Sequence, residues 1–145
     1  MPTIKLPASV EQLATIREFV VQASQDLALG DRTIYEVELA VDEACSNVIR
    51  HAYGGQGGAI EVSIEPYAEG VEVVIRDWGE PFDPQAVPVP DVKAPLGQRQ
   101  LGGLGLYIMR QIMDEVHFEF DADQGNTLTM RKRRRHGEEK NEHYR

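Results

Sequence analysis

Residues 38–53 read ELAVDEACSNVIRHAY, and their spacing decides what kind of domain this is. Val41, Ala44 and Val48 continue an apolar stripe begun at Ile34 and Val37, three and four apart, which is the period of an amphipathic helix. The helix starts after Asp31, which can cap it, and runs to about Ala52, where GGQGG (54–58) must turn. Glu43 and Asn47 stand one turn apart and so project in nearly the same direction, on the flank of the stripe. A carboxylate and an amide aimed together suit hard-cation chemistry: the amide oxygen can hold Mg²⁺, and the carboxylate can orient or deprotonate a hydroxyl. Taken alone, the pair is also what an ordinary solvated helix face carries. Cys45, on the same helix, is the single cysteine of the chain and reads as a small packing residue.

Upstream, TIKLP reads as a first strand and Ser9 to Leu29 as a first helix. Ser9 and Gln12 form a capping box, Gly30 is the stop, and Leu13, Ile16, Val20, Ala23 and Leu27 make the apolar stripe. Ile16 and Phe19 can serve either the core or a partner face, and core is the preferred reading. Downstream, AIEVSIE (59–65) and VEVVIRD (71–77) alternate as a β-hairpin. Between 84 and 101, Pro84, Pro88, Pro90 and Pro95 break any period, which marks a long functional loop. A third helix opens at the glycines of 102–105 and runs to about Glu115, and VHFEFD with NTLTMRK closes a second hairpin. This order predicts an α/β (α+β) two-layer sandwich, with helices on one face of a mixed, mainly antiparallel sheet.

Three further segments carry possible chemistry. In Asp77-Trp78-Gly79, a carboxylate at a strand end can accept from an exocyclic amine such as adenine N6, and Gly79 lets a ring approach the backbone. The same residues also make an ordinary Asp-x-Gly turn. Gly102-Gly103-Leu104-Gly105 opens a helix, where free N–H groups and the helix dipole attract phosphate. It is neither a dinucleotide fingerprint nor a Walker A sequence. Gly125-Asn126-Thr127 places a threonine hydroxyl where it can support a purine site, although alternating threonines suit any strand.

Composition narrows the field. The 145 residues carry a net charge of −9; residues 131–145 are +4, which leaves −13 on the rest. An acidic body argues against nucleic acid as a partner, because phosphate contacts need clustered cations. The basic run Arg131–Arg135 reads as a solvated tail, and HGEEKNEHYR after it as disordered. No apolar run is long enough to cross a bilayer, and MPTIKLPASVEQ lacks a signal pattern, so a cytoplasmic protein is expected.

In order, the segments ELAVDEACSNVIRHAY, IRDWGEPFDP, GGLGLYIM and GNTLTM resemble the N, G1 and G2 boxes and the final Gly-x-Thr of the GHKL ATPase superfamily. The likeness spans about residues 5–132. Within the superfamily the chain most resembles the bacterial anti-sigma-factor serine/threonine kinases. The resemblance implies a Bergerat-type fold over 1–132, an ATP lid at 84–101 and a charged tail at 133–145. It implies ATP and Mg²⁺ as cofactors, with Asn47 as metal ligand and Glu43 as general base. Asp77 would read adenine N6 with Gly79 beside the ring. Gly103, Leu104 and Gly105 would lie against the phosphates, and Thr127 would support Asp77 through water. The implied partners are a sigma factor, a STAS-domain anti-anti-sigma protein and a second copy of the chain, with no nucleic acid and no membrane. Some relatives carry a basic residue where this chain has Leu101; Lys93 and Arg99 in the lid are the candidates to meet the γ-phosphate instead. His51 reads as a residue that packs or caps the helix end. An ATP-binding partner-switching regulator with little or no kinase activity is the alternative.

Overall fold

The structure is a computed structural model, and it describes residues 1–54, 57–86 and 101–134. The chain runs β1 (Thr3–Pro7), α1 (Leu13–Asp26), α2 (Asp31–Asn47), β2 (Ala59–Tyr67), β3 (Gly70–Asp77), α3 (Leu101–Ile112), β4 (Glu115–Asp121) and β5 (Gly125–Arg133). A π turn, Val48–Ala52, extends α2, and single 3₁₀ turns lie at Val10–Gln12 and Pro84–Ala86. Apart from Pro84–Ala86 and Leu101, the expected lid lies outside the described residues, as does the tail beyond Arg134.

The strands form one sheet in the order β1-β2-β3-β5-β4. Among the described residues the expected mixed character is absent, because all four pairings are antiparallel. The crossover through α3 does leave β3 and β4 running in the same direction, but β5 is inserted between them and pairs antiparallel with both. Strand alternation then sorts the side chains. Ile60, Val62, Ile64, Val71, Val73, Ile75, Leu128 and Met130 are buried on one face. Against them pack Ile16 and Val20 of α1, Val37, Val41, Ala44 and Cys45 of α2, and Leu106 and Met109 of α3. Each fully buried valine or isoleucine here stabilises the fold by roughly 1.5–3 kcal/mol. The alternate strand positions hold polar residues such as Lys5, Glu61, Arg76, His117 and Thr129. The predicted two-layer arrangement and the helix stripes therefore hold, with Ile16 in the core and Phe19 packed against it. Burial pushes the Cys45 thiol well above its ordinary range, so it packs as an inert small residue.

The helix ends differ from the sequence expectation. Ser9 makes no side-chain cap bond, because a 3₁₀ turn intervenes and α1 begins at Leu13. Gly30 does not stop α1; it is the N-cap of α2, and Asp31 is the first helical residue. The stop is a Schellman turn. Leu29 N–H donates to Ser24 O at 3.2 Å and Ala28 N–H to Gln25 O at 2.8 Å. This places Ala28 in the left-handed region, at φ 56°. An L-residue pays for that conformation and glycine does not. Ala28→Gly is expected to stabilise the protein by about 0.5–1 kcal/mol, raising Tm by about 2–4 °C in a calorimetric scan. An unchanged or lowered Tm would mean that the alanine methyl packs better than its backbone is strained.

The basic run was expected to be solvated, yet its first four residues are built into the fold. Arg131 stands directly opposite both Glu72 and Glu115 in the sheet register and bonds both, at 2.8 and 3.1 Å. Lys132 follows the inward alternation of Leu128 and Met130. Its Nζ caps the end of α3 by donating to Ile112 O at 2.6 Å, and it pairs with Glu36 Oε2 at 3.4 Å. Arg134 donates to Ala28 O across the Schellman turn at 2.7 Å. Arg131 is met by opposite charges in register, Lys132 by Glu36 and the end of α3, and Arg134 by backbone carbonyls.

Candidate active site

The π turn after Asn47 brings the end of α2 against the β3 exit. Tyr53 closes this junction: its hydroxyl donates to Ala59 O at 2.6 Å and accepts from Trp78 N–H at 2.9 Å. Glu80 N–H donates to Ala52 O at 2.7 Å. Gly79 lies so close to Ala52 O that a Cβ would collide with it. Gly79 is thus required by the packing of its own chain. π turns are rare and recur at functional sites, because the extra residue re-aims side chains.

A cleft opens at this junction, with an enclosed volume of about 50 Å³, lined by Asn47, His51, Asp77, Phe82, Asn126 and Thr127 among others. Phe82 and Phe118 pack at 5.2 Å between ring centroids on its wall, and Ile75, Met109 and Leu128 supply further apolar lining. Asp77 is buried, and its Oδ1 accepts from Gly79 N–H at 3.0 Å and from Asn126 Nδ2 at 2.8 Å. Both bonds end on Oδ1, and no other described group bonds Oδ2. Asn126 Nδ2 also reaches Gly79 O at 3.1 Å, while Asn126 Oδ1 is buried with no hydrogen-bond partner. A carboxylate and an orphaned amide oxygen side by side call for a ligand that donates, such as an exocyclic amine.

Glu43 does not line the cleft. It stands one turn back along α2, facing α3: a Cβ on Gly105 would lie 2.9 Å from Glu43 Oε2 and 3.4 Å from Asn47 Nδ2. The glycine lets α3 approach α2 at the level of both polar groups. Half-burial holds the Glu43 carboxyl above its ordinary range, reinforced by the neighbouring Asp42 charge and opposed by Arg50. Such a carboxyl is closer to the pKa a general base needs. Asn47 is buried, and its Oδ1 accepts from Arg50 at 3.2 Å. α3 begins at Leu101, so Gly103 and Leu104 fall in the first turn, whose N–H groups have no intrahelical partner. Gly105 is the next residue along, beside Glu43 and Asn47.

The residues present suit a nucleotide–metal complex. No cluster of three acidic, cysteine or histidine ligands occurs among the described residues. A cation here would lean on Asn47 and on the phosphates of its ligand.

A sequence profile described as Histidine kinase-like ATPase domain matches residues 6–132. The chain belongs to that family. It is 34% identical over 140 residues to the serine-protein kinase RsbW of Bacillus licheniformis, covering 89% of this chain and 83% of the relative. It is 33% identical over 132 residues to RsbW of Halalkalibacterium halodurans, covering 88% and 79%. The crystal structure of the RsbU and RsbW domains of a Mycobacterium tuberculosis protein shares the fold, with a TM-score of 0.60 at 16% identity, over 92% of this chain and 32% of that one.

Within this ATPase fold, Asn47, Asp77 and Thr127 meet in one cleft, with Glu43 and Gly105 beside it on the α2–α3 face. Thr127 lines the cleft, but the direct bond to Asp77 comes from Asn126, which the sequence reading passed over. The signal was available: Asn126 shares the inward alternation of Leu128 and Met130, and the register places it opposite Asp77, with Thr127 opposite Arg76. Tyr53 and Arg50 were also given no role in the site. No pattern marks a tyrosine whose hydroxyl bridges two segments 25 residues apart in sequence.

Proposed function

We propose that this protein is an ATP-dependent serine/threonine kinase and anti-sigma factor, which phosphorylates a STAS-domain anti-anti-sigma protein. The observation that carries the reading is the placing of Glu43 and Asn47 on one face of α2, against Gly105 of α3, beside an apolar cleft that ends on buried Asp77. The serine-protein kinase relatives align over most of both chains, which supports the reaction class.

In this reading Asp77 accepts from the adenine amine, and the apolar wall takes the ring. The first turn of α3, with Gly103 and Leu104, faces the phosphates. Asn47 Oδ1 holds Mg²⁺, which supplies charge neutralisation on the phosphates when bound. Glu43 accepts the proton of the attacking serine hydroxyl. Thr127 supports Asp77 through water, and the segment 84–101 closes over the nucleotide. The sigma factor and the STAS protein compete for the kinase, a second copy of the chain completes a homodimer, and the protein works in the cytoplasm. No helix among the described residues is long and apolar enough to cross a membrane.

One observation favours a second reading, an ATP-binding partner switch with little transfer: among the described residues no lysine or arginine lines the cleft. The test is to incubate the protein with γ-labelled ATP, Mg²⁺ and purified STAS proteins encoded beside it, and to follow label and intact mass. Label on a partner serine or threonine supports the kinase. Nucleotide-dependent capture of a sigma factor without label selects the switch. Neither labelling nor capture removes both readings.

A further inference from the structure

Beyond Asp77 the sheet ends unevenly. β2 pairs with β1 from Ala59 onward, but with β3 only from Ile60, which stands opposite Asp77. Carried one residue further, the β2–β3 register would set Ala59 opposite Trp78. The Tyr53 hydroxyl bonds both residues: it donates to Ala59 O at 2.6 Å and accepts from Trp78 N–H at 2.9 Å. A side chain from the end of α2 thus supplies a rung beyond the end of the ladder and satisfies a backbone group on each strand. The ring that carries the hydroxyl is itself held. It packs against the core, and a Cβ on Gly58 would collide with it. Two residues past Trp78, Glu80 N–H is tied to Ala52 O. The residues on both sides of Gly79 are therefore anchored to Ala52 and Tyr53. Between those anchors, Gly79 N–H donates to Asp77 Oδ1 at 3.0 Å, and Asn126 donates to the same oxygen at 2.8 Å, which leaves Oδ2 to a ligand.

We propose that Tyr53 is a positioning residue for purine recognition: its hydroxyl fixes the Trp78 peptide, and through it the direction in which the second Asp77 oxygen points. The inference rests on the reading above, in which Asp77 accepts from the adenine amine. A hydrogen bond weakens steeply as its donor leaves the line of the acceptor, so recognition depends on direction as well as on charge. Asp77 does not set that direction alone. Its bond from Gly79 is local and moves with the backbone that carries it, and a carboxylate gripped by Asn126 at one oxygen still swings about that oxygen. Tyr53→Phe keeps the ring against Gly58 and removes only the bridge. Trp78 N–H and Ala59 O then lose a partner, and unpaired backbone groups are costly. Closing the ladder by one rung pairs them directly. That draws the Trp78 peptide towards β2 and turns Asp77 with it. The variant stays folded and loses its aim.

Calorimetric titration of the full chain tests this, with MgATP and with the Mg²⁺ complex of purine riboside triphosphate, which lacks the 6-amino group. The proteins are wild type, Tyr53→Phe and Asp77→Asn. Tyr53→Phe is expected to weaken MgATP by about fivefold or more and to leave the analogue within about twofold. Binding of the analogue also shows that the variant is folded. Trp78 is the single tryptophan of the chain, so its emission without nucleotide should shift as its peptide moves. An ATP-to-analogue ratio that stays at the wild-type value, whether both nucleotides weaken equally or neither does, would make the hydroxyl a structural bond only and overturn the proposal. Asp77→Asn separates the two readings. A ratio that collapses in Asp77→Asn but not in Tyr53→Phe removes this proposal and leaves adenine recognition by Asp77 standing. A ratio unchanged in both variants, or a wild type that binds neither nucleotide, removes both.

Discussion

Glu43→Gln is expected to abolish measurable phosphoryl transfer while making the protein more stable at neutral pH. As the proposed general base, Glu43 is expected to contribute about a hundredfold to ten-thousandfold to the transfer step. Glutamine keeps the shape beside Gly105 but cannot take the serine proton. MgATP affinity should stay within a few-fold, so single-turnover transfer to the STAS partner separates the base from the binding residues. The stability effect follows from the direction of the Glu43 shift. Burial and the Asp42 charge raise its folded-state pKa above the unfolded value. The folded state therefore disfavours the carboxylate, and this cost is fully present above the folded pKa. It shrinks as pH falls through that value and is gone below the unfolded pKa. The Tm advantage of Glu43→Gln should accordingly be present at pH 7 and narrow on acidification. In the wild type, transfer should fall as pH drops through the same raised pKa. A variant that still transfers phosphate, or one that melts lower at neutral pH, contradicts this account of Glu43.

Asp77→Asn carries the second large effect. Asp77 Oδ1 accepts from Gly79 and Asn126, and its second oxygen is the acceptor available to a ligand amine. Asparagine can keep the first pair of bonds only by turning its NH₂ towards the ligand. Donor then meets donor, and the charge-assisted bond is lost. ATP affinity is expected to fall by about tenfold to a hundredfold, the equivalent of about 1.5–3 kcal/mol for a hydrogen bond to a charged group. The fold itself should lose about 1 kcal/mol, as the bonds to Oδ1 become neutral. Fluorescent-nucleotide titration beside a urea melt reads the two quantities separately. Undiminished ATP binding by a folded Asp77→Asn protein would take Asp77 out of adenine recognition and move the purine elsewhere.

Both residues could be singled out in the sequence because the features that mark them are local. A carboxylate and an amide four apart, a strand that ends on Asp-x-Gly and glycines at a helix start are properties of a few neighbouring residues. Periodicity of 3.6 and of 2 likewise set out the helices and strands, since burial of one face imposes it directly on the chain. What failed was the treatment of ends and of charge. The Schellman turn at Ala28 was assigned to Gly30, because composition names glycine while the hydrogen-bond geometry chose the residue two positions earlier. Arg131 and Lys132 looked solvated because their partners, Glu72, Glu115 and Glu36, are far away in sequence.

By itself the sequence determined the two-layer class, the order of the elements, the helix stripes and the positions of Glu43, Asn47 and Asp77, because each rests on contacts or alternation within one element. The tertiary structure decided the rest. It inserted β5 between β3 and β4, and so put Asn126 directly on Asp77, with Thr127 in the same cleft. It ended α2 in a π turn stitched to the β3 exit through Tyr53 and Ala52. It gave Gly79 its reason, since the backbone of a distant segment, at Ala52, leaves no room for a Cβ, and it brought Gly105 beside Glu43 and Asn47. Pairing across a sheet and close approach between helices are set by which surfaces fit, and that choice is made only when distant parts of the chain meet.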